Sequence, residues 1–166
     1  MPISSDSQST GLGERPKDKI RLKGVEETLF CTLLPKGRDA ESPNPVLGDP
    51  YASRLIDPCD VDLSRSTFQA GDNDRAIRWV VNRTMTFDRW CRDFLQKHKH
   101  EPVTVLYLGC GLDCRAHRVK QGPAVPWIDL DRPLVVDLRR RLIPQAPAGD
   151  YRLRTTLDDV AAAAGC

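Results

Sequence analysis

The sequence predicts an α/β fold: the first half of a doubly wound parallel sheet, preceded by an N-terminal helical cap. Three observations carry this. Val103–Leu108 is an almost continuous apolar run, VTVLYL, the pattern of a parallel strand buried on both faces. Gly109 and Gly111 follow at once, and a glycine pair just past such a strand permits a tight turn and a close approach of backbone N–H groups to a ligand. Asp131 then stands 20 residues after Gly111, at the end of a second strand-like run. An acidic side chain there can accept hydrogen bonds from both hydroxyls of a ribose. The unit reads as the opening half of a nucleoside-binding fold.

The residues of the turn bear on which nucleoside. A dinucleotide fingerprint places a third glycine where this chain has Cys114. It also rests a pyrophosphate on the helix N-terminus, and Asp113 would repel one. The sulfonium end of S-adenosylmethionine (SAM) is not repelled, so the G-x-G-L-D turn favours SAM over NAD. An NAD-dependent dehydrogenase is disfavoured on the same two residues.

At 166 residues the chain can build one domain with a real core. A formal net charge of +2 gives no sign of a nucleic-acid or membrane partner. No apolar run approaches the length of a membrane span, and Met1–Lys19 lacks a signal-peptide pattern, so a cytoplasmic location is expected. Six cysteines (Cys31, Cys59, Cys91, Cys110, Cys114 and Cys166) show no framework spacing and are expected as free thiols. Cys110, Cys114 and His117 match no common zinc spacing, and no metal is expected.

Taken in order, residues 1–19 have almost nothing to bury and are expected to be a disordered tail. Residues 20–100 form the helical cap and 101–166 the partial SAM-binding domain. Ile20–Leu34 is an amphipathic helix expected to end at Pro35, and Lys36–Asp49 a Pro-rich connector. Asp49–Pro50 opens a short helix over Tyr51–Ile56, with Asp49 as N-cap. Asp57–Gly71 is expected as loop with at most one helical turn.

Asp72–Lys97 is the clearest helix. Val80, Val81, Thr84, Cys91 and Leu95 fall within about 60° of Ile77 around the helix axis. Asp88 lies on that apolar face too, where a carboxylate without partners costs several kcal/mol. An internal Asp88–Arg pair would answer this, as would a kink. Arg83, at the edge of the stripe, is expected to point into a cleft. His98 and His100 mark a solvated helix end. Beyond strand one come a helix over Leu112–Val119 and a strand over Val125–Asp129. A helix over Pro133–Ile143 follows, with Leu134, Leu138 and Leu142 on one face and Arg139–Arg141 as a solvated run. A strand over Tyr151–Thr155 and a helix over Thr156–Gly165 complete the order. With strands running three-two-one, strand one is left as an open edge.

These segments resemble the leucine carboxyl methyltransferase family, in the branch of tetracenomycin-type polyketide O-methyltransferases. The resemblance runs from about Val25 to Asp159. It rests on VEETLFCTLLPKG with SPNPVLGDPYA, VNRTMTFDRW, VLYLGCGLDCRAHRV, and WIDLDRPLVVDLRRRL. It implies the SAM-dependent methyltransferase Rossmann-like fold, with Gly109 and Gly111 lining SAM and Asp131 holding its ribose. Arg83 would pair with the SAM carboxylate, as would Lys36, ahead of Arg38. Where the family has an acidic residue followed by Leu near the adenine, this chain reads Thr156–Leu157, with Asp158 and Asp159 nearby. The family also continues for well over a hundred further residues, so the chain is expected to be truncated relative to it.

The expected reaction is displacement of the SAM methyl by a carboxyl or hydroxyl oxygen of a small natural product of polyketide-type secondary metabolism. No nucleophile–His–acid constellation is visible, and no catalytic residue is assigned. The rival expectation is a non-catalytic remnant that binds SAM weakly or acts by pairing with a partner. A homo-oligomer formed through the open sheet edge is one such pairing.

Overall fold

The computed structural model describes residues 28–56, 73–143 and 147–155. The elements are α1 (Thr28–Ala40), α2 (Ala52–Ile56), α3 (Asp74–Lys97), β1 (Val105–Leu108), α4 (Arg115–Val119), β2 (Trp127–Leu130), α5 (Pro133–Leu142) and β3 (Tyr151–Arg154). The three strands are parallel in the order β1-β2-β3. Val105 pairs with Trp127, and Trp127 in turn with Tyr151. This three-two-one order is the half-sheet expected from the sequence.

The helices differ from expectation at their ends. Helix α1 does not stop at Pro35 but continues through it to Ala40. An internal proline costs a helix about 3 kcal/mol. Here Lys36, Gly37 and Asp39 are buried beyond it, so tertiary contacts override the local signal. Asp39 accepts from the backbone N–H groups of Val46, Leu47 and Gly48 at 2.9–3.0 Å and so closes the Pro-rich connector onto α1. Asp49 accepts from the Tyr51 N–H with its side chain and from the Ala52 N–H with its carbonyl, at the head of α2 as expected. Helix α4 begins at Arg115 rather than Leu112, because the glycine turn consumes the residues between.

The buried apolar residues form two clusters. Phe30, Leu33, Leu34, Ala52, Leu55, Leu112, Cys114 and Leu138 form one, joining the cap to α5. Trp127, fully buried, packs with Ala116 and Val119, against which Cys91 and Leu95 of α3 and Val105 of β1 also pack. Along α3, Val80, Val81, Thr84 and Asp88 are the buried positions, the stripe read from the sequence.

Three burial expectations are corrected. Strand β1 is not buried on both faces: Val105 and Tyr107 are half-buried, while Leu106 and Leu108, which alternate onto the opposite face of the sheet, are exposed. On α5 the buried positions are Val135, Val136, Leu138 and Arg139, and Leu134 is exposed. Arg139 therefore does not belong to a solvated run; its guanidinium is buried against β2, where Asp129 supplies the countercharge. Residues 1–27, Asp57–Gly71 and Thr156–Gly165, with Cys59 and Cys166, for which a tail, a loop and a helix are expected, lie outside the described residues. Cys31, Cys91, Cys110 and Cys114 are free thiols. Among the described residues no helix is long and apolar enough to cross a membrane.

Candidate functional site

The glycine turn between β1 and α4 is built from backbone that most residues avoid. Gly109 (φ 64°) and Gly111 (φ 55°) both sit in the left-handed region, which costs a residue with a Cβ roughly 1–2 kcal/mol. A Cβ on Gly109 would meet nothing within 4 Å, whereas one on Gly111 would press to 3.0 Å from Leu29 of α1. The first glycine thus faces open space and the second lies under the cap.

The corner is fixed from two directions. Asp131, just past β2, accepts from the Gly111 N–H at 2.7 Å and from the Arg132 N–H at 2.8 Å. Arg139, from α5, donates to the carbonyls of Gly111 at 2.7 Å and Asp113 at 2.8 Å. The same guanidinium bonds Asp129 at 2.8 Å, and Asp129 also accepts from Trp127 Nε1 and the Tyr151 hydroxyl, both at 2.8 Å. Burial raises the Asp129 carboxyl above its ordinary value even with Arg139 beside it.

A second network ties α3 and the cap to the turn. Asp113 meets Lys36 Nζ at 3.1 Å, Arg118 at 2.8 Å, Arg115 at 3.3 Å and the Tyr107 hydroxyl at 2.9 Å. Asp88 meets Arg115 at 2.9 Å and Arg118 at 2.7 Å, and Arg118 reaches Asp49 as well. Three carboxylates and three cations thus balance, with side chains largely withdrawn from water. Burial alone would raise the Asp113 carboxyl; the charges of Lys36, Arg118 and Arg115 outweigh it and hold it well below the usual range. Asp88 therefore has the internal arginine partners its place on an apolar face called for. Asp113 does not face a ligand as a bare charge, so the sequence argument that it repels a pyrophosphate loses force.

Between these networks lies a cavity of about 350 Å³, within the size range of ligand pockets. Its walls include Lys36, Arg83, Phe87, Tyr107, Gly109 and Gly111. Four of the five residues marked for cofactor binding are thus brought together, and the fifth, Asp131, bonds the turn that forms the floor. Arg38 is exposed on the outer side of α1 and is not part of the wall. Arg83 is exposed, with its guanidinium 4.7 Å from the Trp79 ring centroid. Lys36 is buried and already paired with Asp113. Thr156–Asp159 lies outside the described residues.

Arg115, Arg118 and Arg139 were missed by sequence reasoning as parts of the site. The unmatched buried carboxylate at Asp88 was the one signal pointing toward the first two.

The sequence model of the leucine carboxyl methyltransferase family matches residues 35–161, most of the chain, with Lys36, Arg83, Gly109, Gly111 and Asp131 among them. The chain belongs to the leucine carboxyl methyltransferase family. Relatives agree. It is 39% identical over 143 residues to an S-adenosyl-L-methionine-dependent methyltransferase, dpfgK, of Gibberella zeae, covering 82% of this chain and 48% of that protein. It is 42% identical over 128 residues to the tetracenomycin polyketide synthesis O-methyltransferase TcmP of Streptomyces glaucescens, covering 77% and 45%. A putative S-adenosyl-L-methionine-dependent methyltransferase of Mycolicibacterium paratuberculosis is 27% identical over 135 residues. The chain spans about half the length of the curated relatives it matches. The parallel three-stranded sheet is consistent with the Rossmann-like fold of such enzymes.

Proposed function

We propose that this chain forms the SAM-binding portion of an O-methyltransferase acting on a carboxyl or hydroxyl group of a small natural product of the polyketide type. The observation that carries the reading is the convergence of Lys36, Arg83 and the glycine turn on one cavity, in a chain similar to methyltransferases over most of its length. The donor set suits SAM chemically. Gly109 leaves room for close approach. The oxygens of Asp131 each hold one backbone N–H and keep a second lone pair for a ribose hydroxyl. Arg83 and Lys36 offer positive charge to the amino-acid carboxylate.

When bound, SAM supplies a methyl group already activated by its sulfonium, and the protein's share is positioning. Asp131 orients the ribose, while Arg139 holds the turn carbonyls so that the Gly111 N–H keeps its direction. Phe87 and Tyr107 present ring surface at the cavity wall. A carboxylate acceptor needs no general base, and none is assigned. The location that suits this chemistry is the cytoplasm. Incubation with labelled SAM and a panel of aromatic acids, phenols, amines and thiols tests the reading. Label in a base-labile ester or in an aryl ether supports it, and label on nitrogen or sulfur acceptors alone overturns the O-methyl assignment.

A further inference from the structure

Helix α3 borders a second cavity, on the flank away from the cofactor cavity. Asn82, Met85, Arg89 and Arg92 lie within an arc of about 80° around the helix axis, across the buried stripe from Arg83 and Phe87. With the connector before α2 and the end of α4 they enclose about 620 Å³, within the size range of ligand sites. No residue lines both cavities, and ion pairs of the buried network form the partition between them. Asp88 and Arg118 line this cavity, while Arg115 and Asp113 line the other. Asp88 meets Arg115 at 2.9 Å, and Arg118 meets Asp113 at 2.8 Å.

The apolar part of this second wall is held in place. Val46, Leu47 and Pro50 supply one side and Met85 another. Val46 and Leu47 donate their N–H groups to the Asp39 carboxylate at 2.9 Å, and Asp49, beside Pro50, is tied to Arg118. The charge has one sign. Asp88 is balanced by Arg115 and Arg118. Arg89, Arg92 and Lys120 also line the cavity, and none of them forms an ion pair among the described residues. Arg92 reaches from α3 to α4, where its Nη2 donates to the Arg118 carbonyl at 3.2 Å, and its remaining N–H groups are left to offer. Lys120, at φ 55°, is the one non-glycine residue at positive φ among the described residues. Glycine is usual in that place at the end of a helix, so a cation stands at this cavity in a backbone state that disfavours its side chain.

Cations gathered round one concavity focus their field into it and favour an anion there. An inorganic anion would leave the apolar walls uncovered, and a neutral apolar molecule would leave the cations unmatched. We propose that this cavity is a second ligand site, separate from the cofactor cavity, for an organic carboxylate with an apolar body. Arg92 and Lys120 take the carboxylate by charge-assisted hydrogen bonds, and Leu47, Pro50 and Met85 cover the body. The partition of ion pairs separates this ligand from the glycine turn, so it is not the methyl acceptor, and the site stands independently of the methyltransferase reading.

The test is calorimetric titration of the full chain with naphthoate, beside the neutral naphthyl alcohol of the same shape and inorganic sulfate. Naphthoate is expected to bind saturably, at least tenfold more tightly than the alcohol or sulfate, and to weaken as salt rises. The double variant Arg92→Gln, Lys120→Gln should lose at least tenfold in affinity. Both side chains are exposed, so its melting temperature should stay nearly unchanged. Arg83→Ala, which alters the cofactor cavity alone, should leave naphthoate binding as it is. No saturable binding, equal affinity for naphthoate and the alcohol, or full affinity in the folded double variant each overturns the proposal. Loss of naphthoate binding in Arg83→Ala would place the anion in the cofactor cavity and overturns it as well. A chain that binds naphthoate in this way but not SAM leaves the second site standing and counts against the proposed function instead.

Discussion

The Asp131 carboxylate and the Gly111 N–H, 20 residues apart in sequence, are joined by a 2.7 Å hydrogen bond. The acidic residue marked for the ribose therefore also holds the glycine turn marked for the cofactor. Replacing it should act on both. Asp131→Ala is expected to weaken SAM binding by about 1–3 kcal/mol, the scale of lost charge-assisted hydrogen bonds. Asp131→Asn keeps an acceptor for Gly111 and should lose less. Calorimetry on the folded variants compares them, and equal affinity in all three proteins would remove Asp131 from the site.

Arg139 should matter more for folding than any arginine on the surface of α5. Arg139→Met leaves Asp129 buried without its cation and the Gly111 and Asp113 carbonyls without their donor. Breaking a buried pair in this way costs roughly 3–5 kcal/mol. Arg140, exposed and paired only with Asp137, should cost well under 1 kcal/mol when replaced by Met. Urea unfolding of the two variants makes the comparison, and similar losses would mean the buried network does not hold the turn.

Lys36 and Arg83 should separate in their effects. Each variant to Ala is expected to weaken SAM more than it weakens an analogue lacking the amino-acid carboxylate. Lys36→Ala should also lower stability, because it takes one of three cations from Asp113. Arg83→Ala should leave the melting temperature nearly unchanged, since its side chain is exposed. Equal losses for both ligands would assign these residues to fold stability alone.

Acid should unfold the chain through Asp113. Its carboxyl is held far below the ordinary value near 3.9, so its contribution is complete above that value and declines as pH falls below about 4. Arg118→Met should flatten this decline by removing a partner of the carboxylate. Stability measured between pH 6 and pH 3 in both proteins checks it, and identical slopes would contradict it.

Strands β1 and β2 were legible because they are short, mostly apolar runs punctuated by glycine and proline, and strand order follows from the parallel half-sheet rule. The burial of β1 was misread because an apolar run reports what a strand could bury, not whether neighbours exist to cover it. Pro35 misled for a related reason: a local stop signal was outweighed by the burial of Lys36 and Asp39 farther on. Arg139 stood in a run of three arginines, and nothing in that run says which one turns inward. Asp129, two residues before Asp131, decides it, through a contact between α5 and β2 that no local pattern encodes. Lys36, Arg83, Gly109 and Gly111 were marked through family resemblance and spacing, and the structure assembles them in one cavity.

The most direct measurement is calorimetric titration of the purified chain with SAM, run beside a Gly109→Val variant. A Cβ at Gly109 would meet open cavity, so a side chain there occupies the space the cofactor would need; its positive φ strains the turn, and thermal melting of the variant confirms that it is folded before it is titrated. The account predicts saturable one-site binding to the unaltered chain and its loss in the variant. Absence of binding to a folded chain, or equal binding by both proteins, would contradict the claim that this cavity is a SAM site.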